Sequence, residues 1–355
     1  MPLIVRSRSS WFAHASCKYG EVTDTPEERA PGDRRGDPRG EMRLDPLTGE
    51  WVNIVGHRQT RPNLPSDDCP FCVGGLEAPE PYDVRWFANR WPALAPGPAT
   101  DFDEVREVAE TAGVNASSPA VGASEVVLFS PVHGESLASL PVAQVRKVVD
   151  LWAERTAALL ARPEVEYVLV FENRGREVGA TIDHPHGQIY GYPFVPPAPA
   201  REIGPRGTHC GVCRELAFEL RDGARIVATS GDWVAWVPYA SGYAYGLRIA
   251  PRTHRGAIAD LDDIHRDDLA RVLVDALGRY DRLWPAPHPG YLFPYLLWFH
   301  QSPADAGDEW HVHAHVAPPL RAPGVQRYVA SGEVGSGTLS NPVVPEDAAR
   351  ALRDA

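Results

Sequence analysis

The sequence predicts an α+β fold made of two duplicated halves, each an antiparallel sheet with helices packed on one face. Three observations carry this. A unit of strand, proline, histidine, polar turn and helix occurs twice. Ser124-Glu-Val-Val-Leu-Phe-Ser-Pro-Val-His133 precedes an amphipathic run from about Val142 to Leu160, and Ala244-Tyr-Gly-Leu-Arg-Ile-Ala-Pro-Arg-Thr-His254 precedes one from about Ile264 to Leu283. A Cys-x-x-Cys pair also occurs twice, as Cys69-Pro-Phe-Cys72 and Cys210-Gly-Val-Cys213. An apolar strand leading to alternating histidines completes the repeat: Tyr167 to Phe171 corresponds, to within a residue, to Tyr295 to Phe299. His184 follows Asn173 by eleven residues, as His311 follows His300. That register sets His184, His186 and Gln188 against His311, His313 and His315.

In chain order, residues 1–42 are rich in Arg, Glu, Asp, Pro and Gly and predict a disordered extension. Order is expected from about Arg43, where Leu47-Thr-Gly-Glu-Trp-Val-Asn-Ile-Val reads as a turn and strand. Ala95 to Ala116 reads as a loop, and the proline-rich stretch Pro193 to Pro205 joins the halves, giving 43–196 and 197–355.

Composition narrows the function. The chain has 355 residues, 43% of them hydrophobic, with ten Trp, enough for a sizeable core. A net charge of −12 excludes a general nucleic-acid binder, so an anionic substrate must be met by local arginines. Five cysteines, four of them in two Cys-x-x-Cys pairs and Cys17 odd, suit metal sites in a reducing compartment better than a disulfide framework. No stretch is apolar enough to span a membrane or serve as a signal peptide, so the expected location is cytoplasmic.

The chemistry concentrates in Phe171 to Tyr190, FENRGREVGATIDHPHGQIY. A buried strand ends in a glycine-punctuated loop, and Pro185 stiffens the link between His184 and His186. Two imidazoles so held can do different jobs, one on a metal and one on a substrate. Gly187 leaves room for a ligand at the backbone, and Gln188 supplies an amide that cannot take up a proton. The loop from Gly175 to Thr181, with Gly179, offers backbone N–H groups for an anion nest.

These residues resemble the active-site signature of the galactose-1-phosphate uridylyltransferases, a branch of the histidine-triad superfamily, in the FEN strand end, the Gly loop and HPHGQ. The resemblance runs from about Arg43 to about Ala349 and implies two histidine-triad-like halves. It implies uridylyl exchange between UDP-glucose and galactose 1-phosphate, with His186 as the nucleophile and Gln188 as its amide partner. It also implies nucleotide or phosphate contacts from Arg58, Arg61, Asn89, Asn173, Gly179 and Thr181, a sugar-phosphate contact from Arg327, and a hold on sugar hydroxyls from Glu333. A structural Zn2+ is implied on Cys69, Cys72, His133 and His184, and a second Zn2+ or Fe2+ on Glu202, His300, His313 and His315. The duplication alone suggests a further zinc on Cys210, Cys213, His254 and His311. A homodimer is implied by the resemblance.

The chain departs from the better-studied branch at Ala180-Thr181-Ile182-Asp183, at Arg327 where that branch has Lys, and at Leu339 where it has Gln. These departures keep a second reading open: a nucleotidyltransferase for another sugar 1-phosphate, with UDP-sugar or UTP as donor.

Overall fold

Alternating burial along strands such as Tyr167–Arg174 and His186–Tyr192, period two, sets one face of a large sheet against helices and leaves the other less covered. The computed structural model describes residues 40–60, 69–203, 210–304, 306 and 309–355, all within the unit Asp37–Ala355. The first half contains β1 (Glu41–Leu44), β2 (Trp51–Ile54), β3 (Arg85–Ala88), α1 (Phe102–Ala112), β4 (Ser117–Pro119), β5 (Ala123–Leu128), α2 (Val142–Leu160), β6 (Tyr167–Arg174) and β7 (His186–Tyr192). The second contains α3 (Pro197–Ala200), α4 (Gly211–Asp222), β8 (Ile226–Ser230), β9 (Trp233–Trp236), β10 (Leu247–Pro251), α5 (Asp263–Leu283), β11 (Tyr295–His300) and β12 (His313–Ala317). A hairpin of β13 (Leu320–Ala322) and β14 (Val325–Gln326), then α6 (Ser331–Ser336) and α7 (Pro345–Asp354), follow. Residues 1–39, including Cys17, and Arg61 lie outside the described residues. β1 begins two residues ahead of Arg43.

The two halves do not form separate sheets. Strands β3-β5-β7-β6 of the first and β11-β12-β10-β9-β8 of the second join edge to edge into one nine-stranded sheet, all neighbours antiparallel. The seam is β6 against β11, with Phe171 opposite Trp298. These are the residues that the repeat register makes equivalent, so a pseudo-twofold axis passes through that pair. Joining the sheets pairs the backbone groups of two edge strands that would otherwise be exposed.

Helices α2 and α5 cover one face. Trp152 of α2 and Leu273 of α5 share a core with Val170, Ile189, Ile249 and Leu297 of the strands. Each such burial contributes about 1.5–3 kcal/mol. Trp152 meets Phe129 edge to face at 5.8 Å. The stretch expected as a loop between Ala95 and Ala116 contains α1 instead. Asp101 caps it by accepting from the N–H groups of Asp103 and Glu104, both at 3.0 Å, and Gly113 ends it at φ 66°. The cap residue and the terminal glycine were readable signals.

Beneath the end of β6 lies a buried polar network. The Tyr295 hydroxyl donates to Glu172 at 3.1 Å, and Arg174 donates to Asp281 of α5 at 2.6 Å. The Arg174 guanidinium sits 5.1 Å from the Tyr295 ring centre. Burial pushes the Glu172 carboxyl up to about 7, against the opposing pull of Arg174 and Tyr295. A raised acid stabilises the fold fully below the ordinary value of 4.5, and that contribution is lost as pH rises toward about 7. Glu172→Gln carries no such titration. Its melting temperature relative to the parent should therefore climb between about pH 5 and about pH 8; parallel melting curves over that range would contradict the burial argument.

Candidate active site and metal centres

The catalytic residues of the expected site share the open face of the sheet. His186 and Gln188 alternate along β7, with Gln188 opposite Val126 of β5 and Phe171 of β6. His186 accordingly points away from the core that holds Ile189. The Nδ1 of His186 lies 2.7 Å from the carbonyl oxygen of His184. That carbonyl can only accept, so Nδ1 carries the proton and Nε2 the lone pair. His186 and Gln188 line a cavity of about 910 Å3 with Phe71, Phe87, Asn89 and Thr181. Asn89 is fixed there because its Oδ1 accepts from the Trp91 N–H at 3.0 Å, which turns its amide donors elsewhere. The Gln188 Oε1 is buried without a protein partner among the described residues. A buried orphan acceptor of this kind marks a place where a ligand supplies the missing donor, or where the amide turns over to donate.

Two expectations for the loop are corrected. Gly187 does not open the backbone to a ligand: it faces the core, where a Cβ would meet the Phe129 ring at 2.8 Å and the Phe171 carbonyl at 2.9 Å. The expected nest is also depleted. The N–H groups of Val178, Gly179 and Ala180 are taken by the carbonyls of Gly175 and Arg176, at 3.0–3.3 Å, closing a tight turn. Gly179, at φ 82°, shapes that turn. Arg174, inside the Phe171 to Tyr190 stretch, belongs to the buried network on the helix face and not to this cavity.

Behind His186, the ligating atoms of Cys69, Cys72, His133 and His184 converge within 4.8 Å of one another. Cys72 Sγ lies 3.7 Å from His133 Nδ1 and 3.6 Å from His184 Nδ1. A tetrahedral zinc would separate S and N ligands by roughly 3.5 Å. Burial holds His184 down to about 4, so its ring stays neutral and able to ligate. Its Nε2 donates to the Ser130 carbonyl at 2.8 Å, which leaves the Nδ1 lone pair for the cluster. Tyr82, which no sequence signal singled out, completes this. Its hydroxyl lies 2.9 Å from His184 Nε2 and donates to the Phe71 carbonyl at 2.7 Å, tying the cysteine knuckle to the histidine.

The repeat-related set is also assembled. Cys210, Cys213, His254 and His311 converge within 4.8 Å. Cys213 Sγ is 3.3 Å from His254 Nδ1 and 3.2 Å from His311 Nδ1. Burial and the neighbouring Cys210 push the Cys213 thiol up to about 11, an unfavourable pairing that a divalent ion relieves. Glu202, His300, His313 and His315 form the third cluster. Glu202 lies 2.6 Å from His300 and 3.0 Å from His313. Burial opposes ionisation of Glu202, but the three imidazoles outweigh it and hold the carboxyl well below the usual range. All three donor sets therefore fit a metal ion.

Other expected residues lie apart. Arg58 reaches Tyr190 of β7 at 3.4 Å. Arg327 pairs with Glu333 and donates to the Ser340 carbonyl at 3.0 Å, and neither residue lines the His186 cavity.

Residues 35–196 match the family model for the N-terminal domain of galactose-1-phosphate uridyl transferase, and residues 210–354 match that for its C-terminal domain. The chain belongs to the galactose-1-phosphate uridylyltransferase family. A member from Thermotoga maritima is 36% identical over 325 residues, covering 88% of this chain and 98% of its own length. A solved uridylyltransferase structure superposes with a TM-score of 0.71 at 27% identity, covering 88% of this chain and 97% of that one. ADP-glucose phosphorylase from Arabidopsis thaliana is 27% identical over 373 residues, 96% of this chain and 98% of its own. No helix among the described residues of this uridylyltransferase relative is long and apolar enough to cross a membrane.

The Tyr82 contacts generate a prediction. Tyr82→Phe should weaken the affinity of the Cys69 cluster for added divalent metal by about 10–100-fold, the usual effect of losing an outer partner of a ligating histidine. Competition with a chromophoric chelator reads this directly; an unchanged affinity would remove Tyr82 from the metal's support.

Proposed function

We propose that this protein is a UDP-glucose–hexose-1-phosphate uridylyltransferase with galactose 1-phosphate as acceptor, working by ping-pong transfer through His186. The observation that supports this best is the 2.7 Å bond from His186 Nδ1–H to the His184 carbonyl. It leaves Nε2 with the lone pair. Nε2 attacks the α-phosphorus of UDP-glucose, a P–N bond forms, and the bond from that phosphorus to the bridging oxygen breaks. Glucose 1-phosphate leaves. A phosphate oxygen of galactose 1-phosphate then attacks the same phosphorus and the P–N bond breaks, restoring the imidazole. Neither half-reaction needs an external acid, which suits an amide at Gln188, and the amide holds a non-bridging oxygen. Asn89, Asn173, Thr181, Arg58 and Arg61 are assigned to the nucleotide and its phosphates, with Gly179 shaping the loop.

We assign zinc to Cys69, Cys72, His133 and His184. Four protein ligands leave no open position, so that ion would supply rigidity to the segment carrying His186. A second zinc on Cys210, Cys213, His254 and His311, and Zn2+ or Fe2+ on Glu202, His300, His313 and His315, complete the inventory. UDP-sugars and thiolate-rich metal sites suit the cytoplasm. Arg327 and Glu333 serve the acceptor phosphate and sugar from a second copy of the chain, since neither lines the His186 cavity of its own copy; the assembly is then a homodimer.

The second reading is transfer to a different sugar 1-phosphate, with UTP as a possible donor. Leu339 and the Ala180–Asp183 lead-in favour it. A donor–acceptor matrix separates the two. With UDP-glucose, the first reading expects a uridylyl adduct on the His186 peptide by mass spectrometry, discharged by galactose 1-phosphate. An adduct from UTP alone supports the second, and no adduct from any donor overturns both. His186→Asn should lower turnover by as much as ~10^6, the scale of losing a covalent nucleophile. Mixing His186→Asn with Arg327→Ala homodimers should restore activity; mixtures as inactive as their parts would refute a contribution from the second copy.

A further inference from the structure

The pseudo-twofold axis through Phe171 and Trp298 makes Asn173, His186 and Gln188 of the first half equivalent to His300, His313 and His315 of the second. The equivalence reaches beyond register. His313 Nδ1 lies 2.7 Å from the His311 carbonyl, matching the 2.7 Å between His186 Nδ1 and the His184 carbonyl. In each half the second histidine therefore carries its lone pair on Nε2. Each of these histidines also lines a cavity flanked by its own Cys-x-x-Cys knuckle: about 910 Å3 beside Cys69 and Cys72, and about 620 Å3 beside Gly211 and Val212. The second cavity is the counterpart of the nucleotide cavity, and the proposed reaction leaves it unused.

Two differences decide its chemistry. Glu202 lies 3.0 Å from His313 Nε2, so this imidazole is committed to the Glu202 cluster and is no nucleophile. Glu202 and His313 both line the cavity, and the Glu202 side chain is 32% exposed, so an ion held by this cluster would lie against the cavity wall. The two Cys2His2 sets carry two thiolates each, which disfavour a fifth ligand, whereas a divalent ion on three imidazoles and one carboxylate can expand to take one. The wall also carries Arg214 and Arg248, with Phe218 and Tyr239, 49% and 69% exposed, near the mouth. Arg248 is paired with Glu215, which in turn accepts from the Trp236 indole at 3.2 Å. Glu202 and Glu215 thus offset the two arginines, Glu219 on the same wall is paired with Arg225, and net attraction for an anion comes only with the divalent ion.

We propose that this second cavity is a phosphate-binding site, in which a phosphate group ligates the open side of the ion held by Glu202, His300, His313 and His315 and is flanked by Arg214. The inference rests on the reading that this cluster holds a metal. The phosphate can be inorganic phosphate or the phosphate of a nucleotide; the aromatic mouth has a use only for the latter.

The test uses the full-length protein exchanged with Co2+. Its visible bands report the nitrogen- and oxygen-ligated ion separately from thiolate-ligated ones. Inorganic phosphate, then UMP, is titrated while those bands are followed. A saturable change is expected, weakened about tenfold in Arg214→Ala, a substitution at an exposed position that spares the core. If UMP binds more tightly than phosphate and Tyr239→Ala removes the difference, the ligand is a nucleotide; equal affinities identify phosphate itself. Failure of Co2+ to enter the cluster, seen as absence of those bands, overturns the metal reading and the inference with it. Bands that are present but unmoved by phosphate and UMP, or moved equally in Arg214→Ala, overturn the inference alone.

Discussion

A single hydrogen bond, from His186 Nδ1–H to the His184 carbonyl, decides what the active imidazole can be. It selects the tautomer, and so selects Nε2 as the atom that can attack. The bond holds only if the His184 backbone stays put. That backbone is anchored from two sides, by the Ser130 carbonyl and Tyr82 at His184 Nε2 and by the Cys72 thiol at His184 Nδ1. An ion held by that cluster would therefore act on His186 through a peptide group rather than through any contact with substrate. A neutral ligand histidine is a condition of this design, and burial supplies it.

Much of this was legible because each element leaves its own local trace. Two Cys-x-x-Cys pairs, two strands ending in Pro and then His (Pro131 to His133 and Pro251 to His254) and two alternating-histidine strands, in the same order, could be aligned without any knowledge of the fold. The expected helix Val142 to Leu160 has those bounds in the structure, and the second begins at Asp263 rather than Ile264. What was not legible depends on pairing across the chain. Nothing local states that β6 lies against β11, because both faces of that contact are ordinary apolar strands. Gly187 was misread for the same reason: its neighbour, Phe129, is fifty-eight residues away and is brought there by β5. Tyr82 left no trace either, since a tyrosine between a knuckle and a strand has no pattern. The loop around Gly179 failed differently, because glycines announce a turn without saying which way its N–H groups face. α1 was overlooked although Asp101 and Gly113 bracket it, its proline-rich approach outweighing its caps.

Duplication onto one continuous sheet has a physical consequence that two separate sheets would lack. The seam places Asn173, His186 and Gln188 and their counterparts His300, His313 and His315 on one open face, related by a single axis. The buried group of Glu172, Tyr295, Arg174 and Asp281 ties the same seam to α5 from below. The end of β6, which carries Asn173, is thus held by both halves at once.

The divergence of the two histidine strands follows from two amides exchanged for imidazoles and one added carboxylate. A neutral imidazole with its lone pair on Nε2 is equally suited to attack phosphorus or to bind a metal. In the first half the register positions beside His186 carry Asn173 and Gln188, amides that neither compete for a proton nor hold a divalent ion strongly. In the second half the same positions carry His300 and His315, and Glu202 faces all three rings. Three imidazoles and a carboxylate bind first-row metals far better than two amides and an imidazole do. The same backbone geometry therefore suits a nucleophile where its neighbours are amides and a metal ligand where they are histidines. His186 stays reactive because of what Asn173 and Gln188 refuse to bind, as much as because of the bond at its other nitrogen.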